Sequence, residues 1–101
     1  MINITIKKES NIITEVLIKG HSNYCVSGKD IVCASVSSIL ITTVNAIISF
    51  DKEAIKYNET NDFALINLKK DNITNTLIDN MINLLYELEN TYRKNIKIKE
   101  E

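Results

Sequence analysis

The hydrophobic positions at the start of the chain follow the two-residue period of a β-strand. Ile2, Ile4 and Ile6 alternate with polar residues, which is typical of a strand with one buried face. Residues 8–11 are polar and favour a turn. The run at residues 12–19 is rich in β-branched side chains and predicts a second strand, which Gly20 ends. The chain is therefore expected to open with two paired strands.

A long helix is predicted over residues 30–50. Residues 31–50 carry no charge, and a helix of that length is long enough to cross a bilayer. A stripe of small polar residues nevertheless recurs at helical spacing: Ser35, Ser38, Thr42, Asn45 and Ser49. The opposite face is broad and apolar: Val32, Val36, Ile39, Leu40, Val44, Ile47 and Ile48. We therefore expect a buried central helix rather than a membrane span, and no membrane partner.

The second half of the chain shows a similar order of elements. Residues 54–57 and 63–69 predict a hairpin that turns through residues 58–62. Thr74 or Asn75 is expected to cap a second helix, whose apolar residues share one face: Leu77, Ile78, Met81, Ile82, Leu85 and Leu88. The alternating tail at residues 96–99 predicts a short edge strand, whose lysines would discourage further pairing.

These elements predict the fold class. The order ββαββα, with a possible final strand, indicates an α+β protein in which one domain spans residues 1–101. We expect a two-layer sandwich, with two helices packed on an antiparallel or mixed sheet. No linker or domain boundary is evident in the sequence.

The charge balance narrows the classes of partner. The 101 residues carry a net charge of -1, which speaks against nucleic acid as a main partner because phosphate binding needs a basic surface. The first residues lack the basic start and apolar run of an export signal. Together with a content of only two cysteines, this predicts a cytoplasmic protein whose thiols are reduced.

A histidine and a cysteine make the strongest candidate for chemistry. His21, the only histidine, lies twelve residues before Cys33, which is predicted in the first or second turn of the long helix. Helix-start N–H groups and a nearby imidazolium both lower a thiol pKa, and a cysteine attacks as the thiolate. The N–H groups of Cys33 and Ala34 are also placed to hold an oxyanion during acyl transfer. These two residues therefore form a candidate nucleophile and base, although core packing is the more usual role for a lone cysteine.

Neighbouring residues allow several interpretations. Asp30 suits either a helix N-cap or a functional acid, and Ser37 lies one turn after Cys33 on the same face. Cys25 adds a third soft ligand to His21 and Cys33, but the spacing matches no zinc pattern, so we expect neither a metal nor a cofactor. A Cys25–Cys33 disulfide would silence the nucleophile and is not expected in a reducing cell.

The same residues resemble a known family. Gly20-His21, then Gly28, the Asp-Ile-Val-Cys-Ala string at residues 30–34 and Ser37 are similar to the bacterial ribosomal-processing cysteine protease family, called Prp. The resemblance covers nearly the whole chain. Ser22 departs from it, since the family commonly has Ala after the histidine, and Cys25 is not a family feature.

The resemblance implies a function and roles for the site residues. It implies a cysteine endopeptidase that removes the N-terminal extension of bacterial large-subunit ribosomal protein twenty-seven, and a homodimer. By that likeness Cys33 is the nucleophile, His21 is the base, and Gly28 belongs to a loop that orders around substrate. Asp30 and Ser37 match positions that the family keeps at the site. No carboxylate is obviously placed to orient His21, so we expect a dyad rather than a triad.

Two competing functions make different predictions. A non-catalytic, ribosome-associated module that binds the same extension would keep its full function in the Cys33→Ala variant. A thiol redox sensor would form a disulfide under mild oxidant and would require Cys25.

Overall fold

The architecture was determined as a computed structural model that describes residues 1–20, 31–59 and 62–101. Within these residues the elements follow in the order ββαββαβ. Their bounds are β1 Ile2–Glu9, β2 Ile12–Lys19, α1 Ile31–Phe50, β3 Ile55–Asn58, β4 Phe63–Asn67, α2 Asn72–Thr91 and β5 Ile96–Glu100. This order, with two helices on a mixed sheet, confirms the predicted fold class.

The described strands form one five-stranded sheet in the order β3-β4-β2-β1-β5. β1 pairs antiparallel with β2 on one side and parallel with β5 on the other, so the sheet is mixed. β4 pairs antiparallel with β2, and β3 extends the sheet beyond β4. The tail strand therefore lies at an edge, as its alternating lysines predicted.

Both helices cover one face of this sheet and enclose the core. The inward positions of β1, at Ile2, Ile4 and Ile6, are almost fully buried, as the two-residue period requires. The apolar face of α1 packs towards the sheet and contributes to the core. Its buried members are Val32, Cys33, Val36, Leu40, Val44 and Ile47. By length and hydropathy alone α1 could span a membrane, and 39% of its apolar window is buried inside the protein.

Some element boundaries differ from those predicted. The first turn is only Ser10 and Asn11, which both take positive φ values of 50° and 66°. The N-cap of α2 is Asp71 rather than Thr74 or Asn75, because the Asp71 carboxylate accepts a 2.9 Å hydrogen bond from the Thr74 N–H. The helix therefore begins about one turn earlier than predicted, and the apolar periodicity of α2 did not indicate this turn.

Candidate active site

Several chain segments meet at one end of the domain. β1 begins here and β2 ends here, because Asn3 pairs with Lys19. β5 also begins here, since Ile96 pairs with Ile2. The start of α1 lies beside the end of α2. In the sequence His21 comes two residues after the last residue of β2, but it falls outside the described residues, as do Cys25, Gly28 and Asp30.

Gly20 fixes the backbone immediately before His21. Its φ is +84°, in the left-handed region that side chains disfavour. A Cβ atom on Gly20 would also collide with the carbonyl oxygen of Met1. Only glycine allows the end of β2 to pass this close to the start of β1. The chain therefore leaves β2 towards His21 along a path that depends on this residue.

Cys33 is the third residue of α1 as the structure describes it. Its side chain is only 4% exposed and belongs to the hydrophobic core cluster. Cys33 therefore sits in the first turn of α1 as described, where the helix dipole favours negative charge. This placement agrees with the predicted first or second turn.

The prediction of reduced thiols concerns the protein in the cell and stays a prediction. Cys33 is disulfide-bonded in the structure, and Cys25, the only other cysteine, lies outside the described residues. A sulfur in a disulfide is not a nucleophile, because attack requires a thiolate. Acyl chemistry at Cys33 therefore requires the reduced protein.

Ala34 and Ser37 are neighbours on α1, about one turn apart. Successive helical residues point about 100° apart, and Ala34 is exposed whereas Cys33 is buried. Ser37 is half-buried and lies one turn after Cys33. Ser37 therefore points between the directions of Cys33 and Ala34, and Ala34 lines the groove between α1 and α2.

This interhelical groove was not predicted from the sequence. It has a volume of about 690 Å³ and is mainly apolar. Its lining comprises Ile31, Ala34, Ser35, Ser38, Ile39, Leu84, Glu87, Leu88 and Thr91. The sequence did contain one indication of this groove, because Leu84 is apolar but lies outside the buried face of α2. In the structure Leu84 is 39% exposed.

The perturbed carboxyl groups of the described chain lie away from Cys33. The pKa of Asp51 is lowered, mainly by a hydrogen bond from Lys69. The pKa of Asp71 is lowered, mainly by hydrogen bonding from Thr74. On the α2–β5 contact, hydrogen bonds from Tyr86 and Lys8 lower the pKa of Glu100. These groups stabilise other parts of the fold, and the predicted dyad stays a prediction because His21 lies outside the described residues.

No group of three or more His, Cys, Asp or Glu side chains with metal-binding geometry occurs within residues 1–20, 31–59 and 62–101. The set that the sequence suggested, His21, Cys25 and Cys33, has two members outside these ranges.

Comparison with known proteins relates the chain to a protease family. A family model described as "Cysteine protease Prp" matches residues 1–97. Among curated proteins, the "Ribosomal processing cysteine protease Prp" of Staphylococcus aureus is 29% identical, with 96% of this chain and 94% of the relative covered.

Two solved structures are similar over the full length of both chains. One is an essential ribosomal processing protease Prp from S. aureus in complex with a substrate peptide, with a TM-score of 0.89 and 27% identity. The other is the S. aureus protease in complex with a covalently linked product peptide, with a TM-score of 0.89 and 28% identity.

Proposed function

The chain belongs to the cysteine protease Prp family, and from this we propose that it removes the N-terminal extension of bacterial large-subunit ribosomal protein twenty-seven. The activity of a ribosomal processing cysteine protease rests on the family match and on the curated relative. The particular substrate rests on the resemblance of the sequence motifs.

The catalytic proposal assigns one step to each residue. The reduced Cys33 attacks the scissile carbonyl carbon as a thiolate and forms a tetrahedral oxyanion. His21 then donates a proton to the leaving amine, and the C–N bond breaks to give a thioester. A water molecule, deprotonated by His21, attacks this acyl-enzyme, and the departing sulfur regenerates Cys33.

One observation carries this proposal. Cys33 lies near the start of α1, at the end of the domain where β2 leads into His21. The N–H groups of Cys33 and Ala34 then lie on the same turn as the nucleophile, where an oxyanion would form. A cysteine protease of the same fold that holds a covalently linked product peptide supports the acyl-enzyme route.

The neighbouring residues are assigned supporting roles. Asp30 caps α1 or orients His21, Gly28 lets the loop close around the peptide, and Ser37 lines the site beside Cys33. We further propose a cytoplasmic homodimer. Like the particular substrate, the homodimer rests on the resemblance of the sequence motifs.

Intact mass spectrometry tests the assignment. Wild-type protein and the variants Cys33→Ala and His21→Ala are incubated, under reductant, with a ribosomal protein twenty-seven that retains its extension. We expect one cut by the wild type and none by either variant. Cys25→Ser is the matched control, because it removes a thiol without removing a proposed catalytic group. Binding of the extension without a cut by any form would favour the non-catalytic binding module.

A further inference from the structure

The face of the sheet opposite the helices carries a cluster of lysines near the proposed active-site end. Asn3 on β1 pairs with Lys19 on β2 and with Lys97 on β5, so these three residues form a row across the sheet. Thr5, the next outward residue of β1, pairs with Lys99. We call Lys19, Lys97 and Lys99 the open-face lysines. All three are exposed.

Strand geometry sets the spacing of these lysines. Neighbouring strands lie about 4.8 Å apart, so the Cα atoms of Lys19 and Lys97 are separated by about 10 Å. Lys97 and Lys99 are two residues apart on one strand, which places their Cα atoms about 7 Å apart. The three ammonium groups thus extend from one patch rather than from scattered positions.

Neutralising carboxylates lie elsewhere on this face. The ion pair between Lys7 and Glu15, 3.7 Å long, is nearer the β1–β2 turn. Glu101 is also next to this pair, because its N–H donates to the Ile6 carbonyl. Among the described side chains, none of the open-face lysines forms an ion pair. Although the net charge of the chain is -1, positive charge is therefore concentrated at these lysines and the carboxylates lie elsewhere.

Uncharged hydrogen-bonding groups accompany the lysines. A cavity of about 430 Å³ is lined by Asn3, Ile4, Thr5, Lys97 and Lys99. Amide, hydroxyl and ammonium groups are those that contact phosphate and sugar oxygens in nucleic-acid complexes. A membrane-binding surface would instead need exposed apolar side chains to insert among the lipids. Asn3 and Thr5 carry none, and the apolar residues of this face, Leu17 beside Thr5 and the 39% exposed Ile66, lie on the side of β1 away from Lys97 and Lys99.

From this chemistry we infer that the open-face lysines, with Asn3 and Thr5, bind the phosphate backbone of single-stranded RNA. Aromatic side chains that would stack on bases do not occur in this cluster, so the contact is independent of sequence and sensitive to salt. The choice of RNA over DNA rests on the proposed ribosomal function. The phosphate contact itself rests on the charges alone. It would hold the enzyme beside an RNA-bound substrate without occupying its catalytic site.

Fluorescence anisotropy with a labelled oligouridylate tests this inference across a range of salt concentrations. The test variant is Lys97→Gln/Lys99→Gln, and Lys52→Gln/Lys70→Gln is the control with the same loss of charge. We expect wild-type binding to weaken with salt, and the test variant to bind more than about tenfold more weakly. The slope of log K against log salt should fall by about 1.4 in the test variant, since about 0.7 is lost per phosphate contact with single strands. The control should change affinity by less than about twofold.

Three results would overturn the inference: no RNA binding by the wild type, equal losses in both double variants, or preferential binding to phosphatidylglycerol vesicles over RNA. Thermal unfolding confirms that both variants are folded. Peptide cleavage does not enter this readout, so failure of the proposed protease function is distinguishable from failure of RNA binding.

Discussion

Asn67 donates a 2.8 Å hydrogen bond from its side-chain amide to the Oδ1 of Asn75, joining the end of β4 to the first turn of α2. The same amide donates to the Ile13 carbonyl over 3.0 Å, and the Asn67 Oδ1 accepts from the Lys70 N–H over 2.9 Å. Asn67 is only 1% exposed. One buried side chain therefore connects two strands, a turn and a helix.

Asn67→Ala should lower the free energy of unfolding by about 2–4 kcal/mol, because it leaves buried backbone and side-chain groups without partners. Urea denaturation measures the loss. Asn80→Ala, an exposed change on α2, serves as the control and should stay within about 0.5 kcal/mol of the wild type. Equal losses in the two variants would contradict the connecting role of Asn67.

Gly20→Ala should destabilise the fold by more than about 2 kcal/mol and should also reduce peptide cleavage. The positive φ and the contact with the Met1 carbonyl both oppose a Cβ atom, and the displaced backbone leads directly to His21. The control is Asn11→Ala, which has a φ of 66° in the exposed turn at the other end of β1. It reports the conformational cost alone, about 1 kcal/mol. Similar stability and full cleavage in both variants would show that close approach to Met1 is unimportant.

Lys69 should stabilise the fold more above pH 4 than at strongly acid pH. It bonds to Asp51 and lies 3.7 Å from Asp71, and the pKa values of both carboxyls are lowered from 3.8. Groups whose folded pKa is depressed contribute stability above the unfolded pKa and lose it as the pH falls through the folded value. Unfolding of wild type and Lys69→Gln should therefore differ at neutral pH and converge below pH 3.8. A constant difference across the acid range would contradict the ion-pair origin.

Protein isolated without reductant should be inactive and lighter than its reduced form by the mass of two hydrogen atoms. The reason is that Cys33 is disulfide-bonded, and a thiolate is needed for attack. Reduction should restore both the mass and the cleavage. Cys25→Ser has no second thiol in the chain, so it should be active without reductant. Full activity of the oxidised wild type would exclude Cys33 as the nucleophile.

The sequence predicted buried residues best in elements with a single dominant hydrophobic period. The two-residue period of β1 predicted its buried residues, because burial imposes that period on the sequence. The apolar face of α1 was predicted in large part, but Ile39 and Ile48 are only half-buried and the buried Thr43 was missed. The cap of α2 was misplaced, since Asp71 acts through a local hydrogen bond that leaves no hydrophobic signal. The interhelical groove also had to come from the structure. It depends on how Ile31 on one helix and Leu88 on the other pack together, and neither periodicity contains that information.

The central position of β1 has a consequence for how the chain is built during synthesis. β1 is made first, and β2 follows at once to pair with one of its edges. The other edge stays unpaired until β5 is made, because Ile2 pairs with Ile96. Until then the nascent chain presents an open strand edge flanked by isoleucines, which is a template for wrong pairing. Among the five described strands, the one made last therefore covers the one made first.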